Sequence, residues 1–213
     1  MSVGSPTTQN VYRPVPESAI ANTARQLTSV TGLEICVQAA QPSSGSVVQT
    51  VERSGSFFKI KWTFTLARVP VTDGAGSGSS GTLKLCTFNP AAISFLGCRQ
   101  DYTATAEGSA LTTAAGDAVY VWGIGTATAT TARDGTLTST EQDIGTKTSQ
   151  ITNSSGTGAG TAVDGAKTTA LNGTATAIDL YLNWSGTAAT IDASSNIDVT
   201  GTVTVVGVMM DDD

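Results

Sequence analysis

The sequence predicts an all-β fold, and three observations carry that prediction. The stretch Ser56–Val71, SFFKIKWTFTLARVPV, alternates apolar and mixed side chains over its whole length. Successive residues of a strand face opposite sides of a sheet, so this period of two marks one apolar and one wettable face. Further alternating runs recur along the chain, at Thr82–Phe88, Asp117–Thr130, Ala177–Trp184 and Asn196–Met209. The composition agrees. Roughly two residues in five are Thr, Ala or Gly, and charged residues make up 13% where about 25% is ordinary. Many β-branched threonines with little charge suit long sheets joined by small-residue turns, and a disordered chain carries more charge and less core.

In chain order, residues 1–28 are polar and punctuated by Pro6, Pro14 and Pro16. Such a segment reads as an extended N-terminal arm, although Glu17–Gln26 lacks breakers and admits a short helix. Val11, Tyr12, Pro14 and Val15 give the arm something to bury against a partner. Residues 29–213 form a single domain. Its first strand spans Ser29–Ala39, and QPSSG at 41–45 is a turn before a short strand over Val47–Arg53. The long strand Ser56–Val71 follows as the centre of an antiparallel sheet. Phe58, Ile60, Trp62, Phe64 and Leu66 point one way, and Lys59, Lys61, Thr63, Thr65 and Ala67 the other. The additional Phe57 implies that both faces are covered at its start. Pro70 marks its far end, since proline cannot donate to a ladder.

A loose loop of small residues, 73–81, leads into Thr82–Phe88 as a hairpin partner. It lacks the Lys-Ser/Thr ending and the following helix of a phosphate-cradling loop. Ala91–Cys98 fits a short strand or one helical turn, and Arg99–Gly116 a polar connection anchored by Tyr102 and Leu111. In Asp117–Thr130, Gly123 and Gly125 mark a bulge or the close approach of another backbone. After a turn at Arg133-Asp134-Gly135, Thr136–Ile144 reads as the return strand, with Leu137 and Ile144 inward. Residues 145–172 lack periodicity and read as a second long, exposed loop. The last two strands are Ala177–Trp184 and Asn196–Met209, followed by the acidic tail Asp211–Asp213. About eight strands with turn signals between them indicate an antiparallel β-sandwich, of which the eight-stranded jelly-roll type fits best.

The chemistry-bearing residues are few. The chain has no histidine, so nucleophilic triads of the usual kind and Cys/His zinc sites have no ligands or base to draw on. Cys36, Cys86 and Cys98 are odd in number and widely spaced. They read as small buried apolar residues, with a cross-strand pairing of Cys86 and Cys98 left open. Most acids sit at turns, while Glu34, Asp179 and Asp198 fall on strands facing solvent. No spaced calcium loop is present, and a two-carboxylate glycosidase would need a pair brought together by the fold. Trp62, Trp122 and Trp184 lie inside strand patterns and read as core rather than as a sugar platform. No metal, cofactor or catalytic residue is expected, and the protein is read as not an enzyme. The net charge of −6 with scattered basic residues speaks against nucleic-acid and polybasic membrane binding. The N-terminus has no signal-peptide pattern and there is no twenty-residue apolar run, which fits assembly in a reducing cytoplasm.

The pattern DAVYVWGIGTATA, then a Thr/Ser/Gly excursion, then AIDLYLNWSGTAATIDASSNIDVTGTVTVVGV, resembles small jelly-roll structural proteins of tailed bacteriophages, especially those of marine bacteria. There an LYLNW-like strand precedes a VTGTVTV-like closing strand, so the resemblance covers about the C-terminal half of the chain. It implies a capsid decoration or cement protein on the outer surface of the virion, often trimeric, with the major capsid protein as partner. The contacts expected are the arm, through Val11, Tyr12, Pro14 and Val15, and the Lys59 and Lys61 face of the central strand. The alternative is a carbohydrate- or receptor-binding module of a phage head or fibre, with loops 73–81 and 145–172 forming its glycan site.

Overall fold

The computed structural model describes residues 35–74, 78–90, 92–107, 119–130, 135–151, 157–159, 163–164, 170–172, 176–186 and 195–210. The arm at 1–28, including Val11, Tyr12, Pro14 and Val15, lies outside the described residues. Among the described residues, twelve strands follow one another in the body from Glu34 onward. They are β1 (Cys36–Gln38), β2 (Ser46–Ser54), β3 (Phe57–Asp73), β4 (Ser79–Phe88), β5 (Ala92–Glu107), β6 (Val119–Gly125), β7 (Gly145–Ile151), β8 (Thr157–Ala159), β9 (Val163–Asp164), β10 (Ala170–Asn172), β11 (Ile178–Gly186) and β12 (Ser195–Met210). Every pairing among them is antiparallel.

The predicted central strand is central. Along one edge β3 pairs with β12, from Phe57 to Val71. Along the other it pairs first with β2, over Phe57–Thr65, and then with β4, over Val71–Asp73. The change of neighbour splits the curled sheet into two layers. One layer runs β2-β3-β12-β5, with β10, β9 and β8 laid end to end along the far edge of β5. The other runs β4-β11-β6-β7, with β1 beside the far end of β4. The layers face each other across one apolar core. Phe58 of β3, Phe88 of β4 and Phe95 of β5 meet at one end, with ring centroids 5.5–6.2 Å apart. Tyr102 and Trp122 meet edge to face at 5.4 Å, and Trp122 meets Trp184 at 6.5 Å. Trp62, Trp122 and Trp184 are all buried, each worth about 4–6 kcal/mol of transfer free energy before entropy is charged.

The alternation of β3 holds only as far as Phe64. Phe58, Ile60, Trp62 and Phe64 are buried as expected, but Leu66 is exposed and Ala67 is buried, along with Val69 and Val71. The cause is a bulge. Thr200 of β12 faces two residues of β3, Thr65 and Leu66, because Val199 aligns with Ala67 and Gly201 with Phe64. Leu66 takes a left-handed φ of 48°, and its N–H donates to Thr200 Oγ1 at 3.1 Å. One extra residue inverts the side-chain parity beyond it. Similar one-residue irregularities sit at Leu85 in β4 and at Leu96 in β5.

Other expectations need correction. The supposed polar connection after Cys98 is the second half of β5, which pairs with β12 as far as Glu107; Tyr102 is buried there as an anchor. Thr136–Ile144 is not a strand. It contains a 3-10 turn, Ser139–Glu141, although Leu137 and Ile144 do point into apolar surroundings. The strand that pairs with β6 is β7. It lies, with β8, β9 and β10, in the stretch 145–172 read from sequence as a loop. The loop at 73–81 is shorter than expected, since β3 runs to Asp73 and β4 begins at Ser79.

Candidate contact surface

The two layers treat their outer faces differently. On the β4-β11-β6 layer, residues 126–130 and 135–144 fold back over the sheet. Asn183 of β11, fully buried, fastens it. Its Nδ2 donates to the carbonyls of Ala127 and Glu141, both at 2.8 Å. Its Oδ1 accepts from Thr82 Oγ1 at 2.9 Å and from the Ala129 N–H at 3.1 Å. Asp143 accepts from the N–H and the hydroxyl of Thr126, and Glu141 from the N–H of Thr138. Gly125 permits the contact: a Cβ there would stand 2.3 Å from the backbone of Thr140 and Glu141. Gly125 therefore marks a backbone approach, while Gly123 sits at the irregularity in the β6–β7 pairing and faces the side chains of Gln142 and Leu137.

Beside this cover, Asp179 accepts from Lys84 and Thr87, each at 2.7 Å, and from Tyr181 at 3.0 Å. Burial pushes its pKa up, but these hydrogen bonds and the Lys84 charge together hold it below the ordinary value. Burial and the Asp179 carboxylate both raise the Tyr181 phenol.

The β2-β3-β12-β5 layer has an outer face to which no such cover is attached among the described residues. The register orders its side chains into rows. Thr50, Lys61, Thr204 and Arg99 form one; Glu52, Lys59, Val206 and Gly97 the next; Ser54, Phe57, Val208 and Ser94 a third. Lys59 and Lys61 thus share this face as the sequence pattern requires. Lys59 pairs with Glu52 at 3.1 Å across the strands, and Arg99 lies 3.6 Å from Asp101 along β5. Arg68 meets Asp198 at 3.3 Å near the bulge. Surface pairs of this kind contribute about 0–1 kcal/mol each, so they set pattern more than stability.

Phe57 corrects a prediction. It is 60% exposed, so the start of β3 is covered on one face only. Val206 and Val208 lie half-buried beside it, and Leu96 and Met210 are exposed on the adjoining strands. The result is a mainly apolar end and a charged middle. Sequence reasoning missed Leu96 because the bulge that turns it outward has no local signature. Met210 was legible, since it continues the outward parity of Val206 and Val208.

The remaining candidate sites resolve individually. The three tryptophans are core residues and cannot stack on a sugar. Asp179 and Asp198 are each engaged by a cation on different layers. Among the described residues there is no cluster of three or more His, Cys, Asp or Glu side chains suited to a metal. Cys36, Cys86 and Cys98 are free and buried, and burial pushes the Cys98 thiol up to about 12. Cys86 and Cys98 sit on β4 and β5, in different layers, so they are not cross-strand neighbours. No protein-family model, curated protein or solved structure matches the chain.

Proposed function

We propose that this protein is a non-enzymatic structural protein of a bacteriophage virion, a decoration or cement protein that binds the outer capsid surface. The observation that carries the reading is the outer face of the β2-β3-β12-β5 layer, left open among the described residues, with Phe57, Leu96 and Met210 at one end and Lys59 and Lys61 at its middle. A contiguous apolar area rimmed by polar side chains is a feature of protein-interaction surfaces. Strand order supports the architecture. The path β10-β5-β12-β3-β4-β11-β6-β7 places the closing strand β12 between β3 and β5, and β11 between β4 and β6, the interleaving expected of a jelly roll. That fold serves viral capsids and also lectins, so fold alone is analogy; the open face and the phage-like C-terminal pattern favour the capsid role.

In this reading the partner is the major capsid protein, and the protein acts as a homotrimer whose linked contacts raise the effective affinity of each weak one. The N-terminal arm, through Val11, Tyr12, Pro14 and Val15, makes a second contact. The glycan-binding alternative is less supported, because the tryptophans are buried and much of 145–172 is strand.

The test is occupancy on purified particles, measured by gel stoichiometry and cryo-electron microscopy. Wild-type protein should be present stoichiometrically. The variant F57S/K59E/K61E should lose at least about tenfold in affinity, as expected when an apolar anchor and two charges are altered together, while keeping its thermal midpoint within a few degrees. Full occupancy by this folded variant, or absence of the wild type from particles, sinks the proposal.

A further inference from the structure

A pair of buried cysteines lies where the two layers meet at their edge. β1 runs beside β4 with Cys36 opposite Phe88 and Gln38 opposite Cys86, so the cysteines are diagonal neighbours on adjacent strands. Both are fully buried, and burial together with the nearness of Cys36 pushes the Cys86 thiol up. β1 also faces β2 of the other layer. Gln49 of β2 donates to the Cys36 carbonyl at 3.3 Å while accepting from Trp62 Nε1 at 2.9 Å. Gln38 and Gln41 both donate to the Val47 carbonyl, at 2.5 and 2.9 Å. The three-residue strand β1 is therefore a seam, held to β4 by a short ladder and to β2 largely by glutamine side chains.

We propose that Cys36 and Cys86 form a disulfide when the protein meets a small-molecule disulfide oxidant, and that this bond locks the seam strand β1 onto β4. Diagonal positions on neighbouring strands lie about 7–8 Å apart, while a disulfide needs Cα atoms within about 4.4–6.8 Å. A displacement of an ångström or two is required, and the short edge strand β1 is the element able to make it. The chemistry balances as ordinary exchange. One cysteine thiolate attacks the oxidant and expels a thiolate, giving a mixed disulfide; the second attacks that mixed disulfide and expels the other half. Two protein thiols lose two protons and two electrons, and the oxidant becomes two thiols. Burial and the neighbouring Cys36 keep the Cys86 thiol protonated, so the first attack requires transient opening of β1. Oxidation is accordingly slow in the closed protein and accelerates in mild denaturant.

The experiment incubates the full chain with oxidised glutathione at mildly alkaline pH, with and without low urea, and maps peptides under non-reducing conditions. The expected product is a Cys36–Cys86 linked peptide, 2 Da lighter than the two reduced peptides together, formed faster in urea and formed equally by C98S. The midpoint of unfolding should rise by about 5 °C or more, because the bond closes a long loop in the unfolded chain. C36S, checked for folding by circular dichroism, should give neither product nor shift; should it fail to fold, C86A serves as the second control. Recovery of all three thiols free after oxidation in both conditions overturns the proposal, as does a bridge that involves Cys98 or a second chain.

Discussion

Replacing Asn183 with alanine tests whether the cover over the second layer depends on one side chain. Asn183 makes four hydrogen bonds of 2.8–3.1 Å, two to carbonyls, one to a hydroxyl and one to a backbone N–H. Net values of about 0.5–1.5 kcal/mol per bond, with some rehydration of the half-buried Thr82, Ala127 and Ala129 groups, give a loss of about 3 kcal/mol. For a domain of this size that is a fall of about 6–12 °C in the midpoint of unfolding. Calorimetry measures the fall, and hydrogen exchange should show the amides of 126–142 losing protection before those of β3 and β12. The Asn183→Asp variant separates bonding from packing. It has almost the same shape but places a carboxylate against two carbonyl oxygens, so it should be worse than alanine despite leaving a smaller void. A fall below about 2 °C for the alanine variant, or an aspartate variant milder than alanine, would refute the reasoning.

Three further outcomes follow from particular geometries. Leu66→Gly should raise the midpoint by about 1–4 °C in calorimetry, because an exposed leucine at φ 48° carries about 1–2 kcal/mol of left-handed strain that outweighs the entropy cost of glycine. Gly125→Ala should destabilise by more than about 2 kcal/mol in urea titration, since its Cβ meets backbone 2.3 Å away and backbone cannot swing aside. The Asp179 carboxyl is held below its ordinary value, so its contribution is present above the unfolded value of about 3.9 and is lost as pH falls through the lower folded value. Its side chain is 33% exposed, which limits the contribution to less than about 1 kcal/mol; Asp179→Asn should flatten that part of an acid-unfolding curve.

The fold class and the core were legible because strand parity is a local property. Phe58, Ile60, Trp62, Phe64, Leu180, Leu182 and Trp184 alternate inward in the sequence and in the structure. Parity fails wherever a bulge intervenes, and bulges are set by the partner strand: Leu66 turns outward because Thr200 faces two residues. The strands β7 to β10 escaped notice for a related reason. Ser, Thr and Gly carry little hydrophobic signal, so GTKTSQI and the short pieces after it become strands only by pairing with β6 and β5. The Lys59 and Lys61 face was readable as a face, whereas its apolar end needed the register that brings Phe57, Val206, Val208 and Leu96 side by side.

The two outer faces also bear on each other. The chain commits residues 126–130 and 135–144, a fully buried asparagine and two glycines to closing the face of one layer. Among the described residues the other layer carries no such cover. Of the six large hydrophobic side chains exposed among the described residues, Val48, Phe57, Leu66, Leu96 and Met210 belong to the strands of the β2-β3-β12-β5 layer, and Val37 alone to the other. Scattered exposed hydrophobics need no explanation, but their concentration on a single layer does. Threonines fill much of the space between them, at 50, 63, 65, 202 and 204, giving a stiff, low-charge surface whose ordering on contact costs little side-chain entropy compared with lysine or glutamate. Such a surface would lose little on docking and gain from every apolar group it covered, which is why the proposed contact role is placed on this layer.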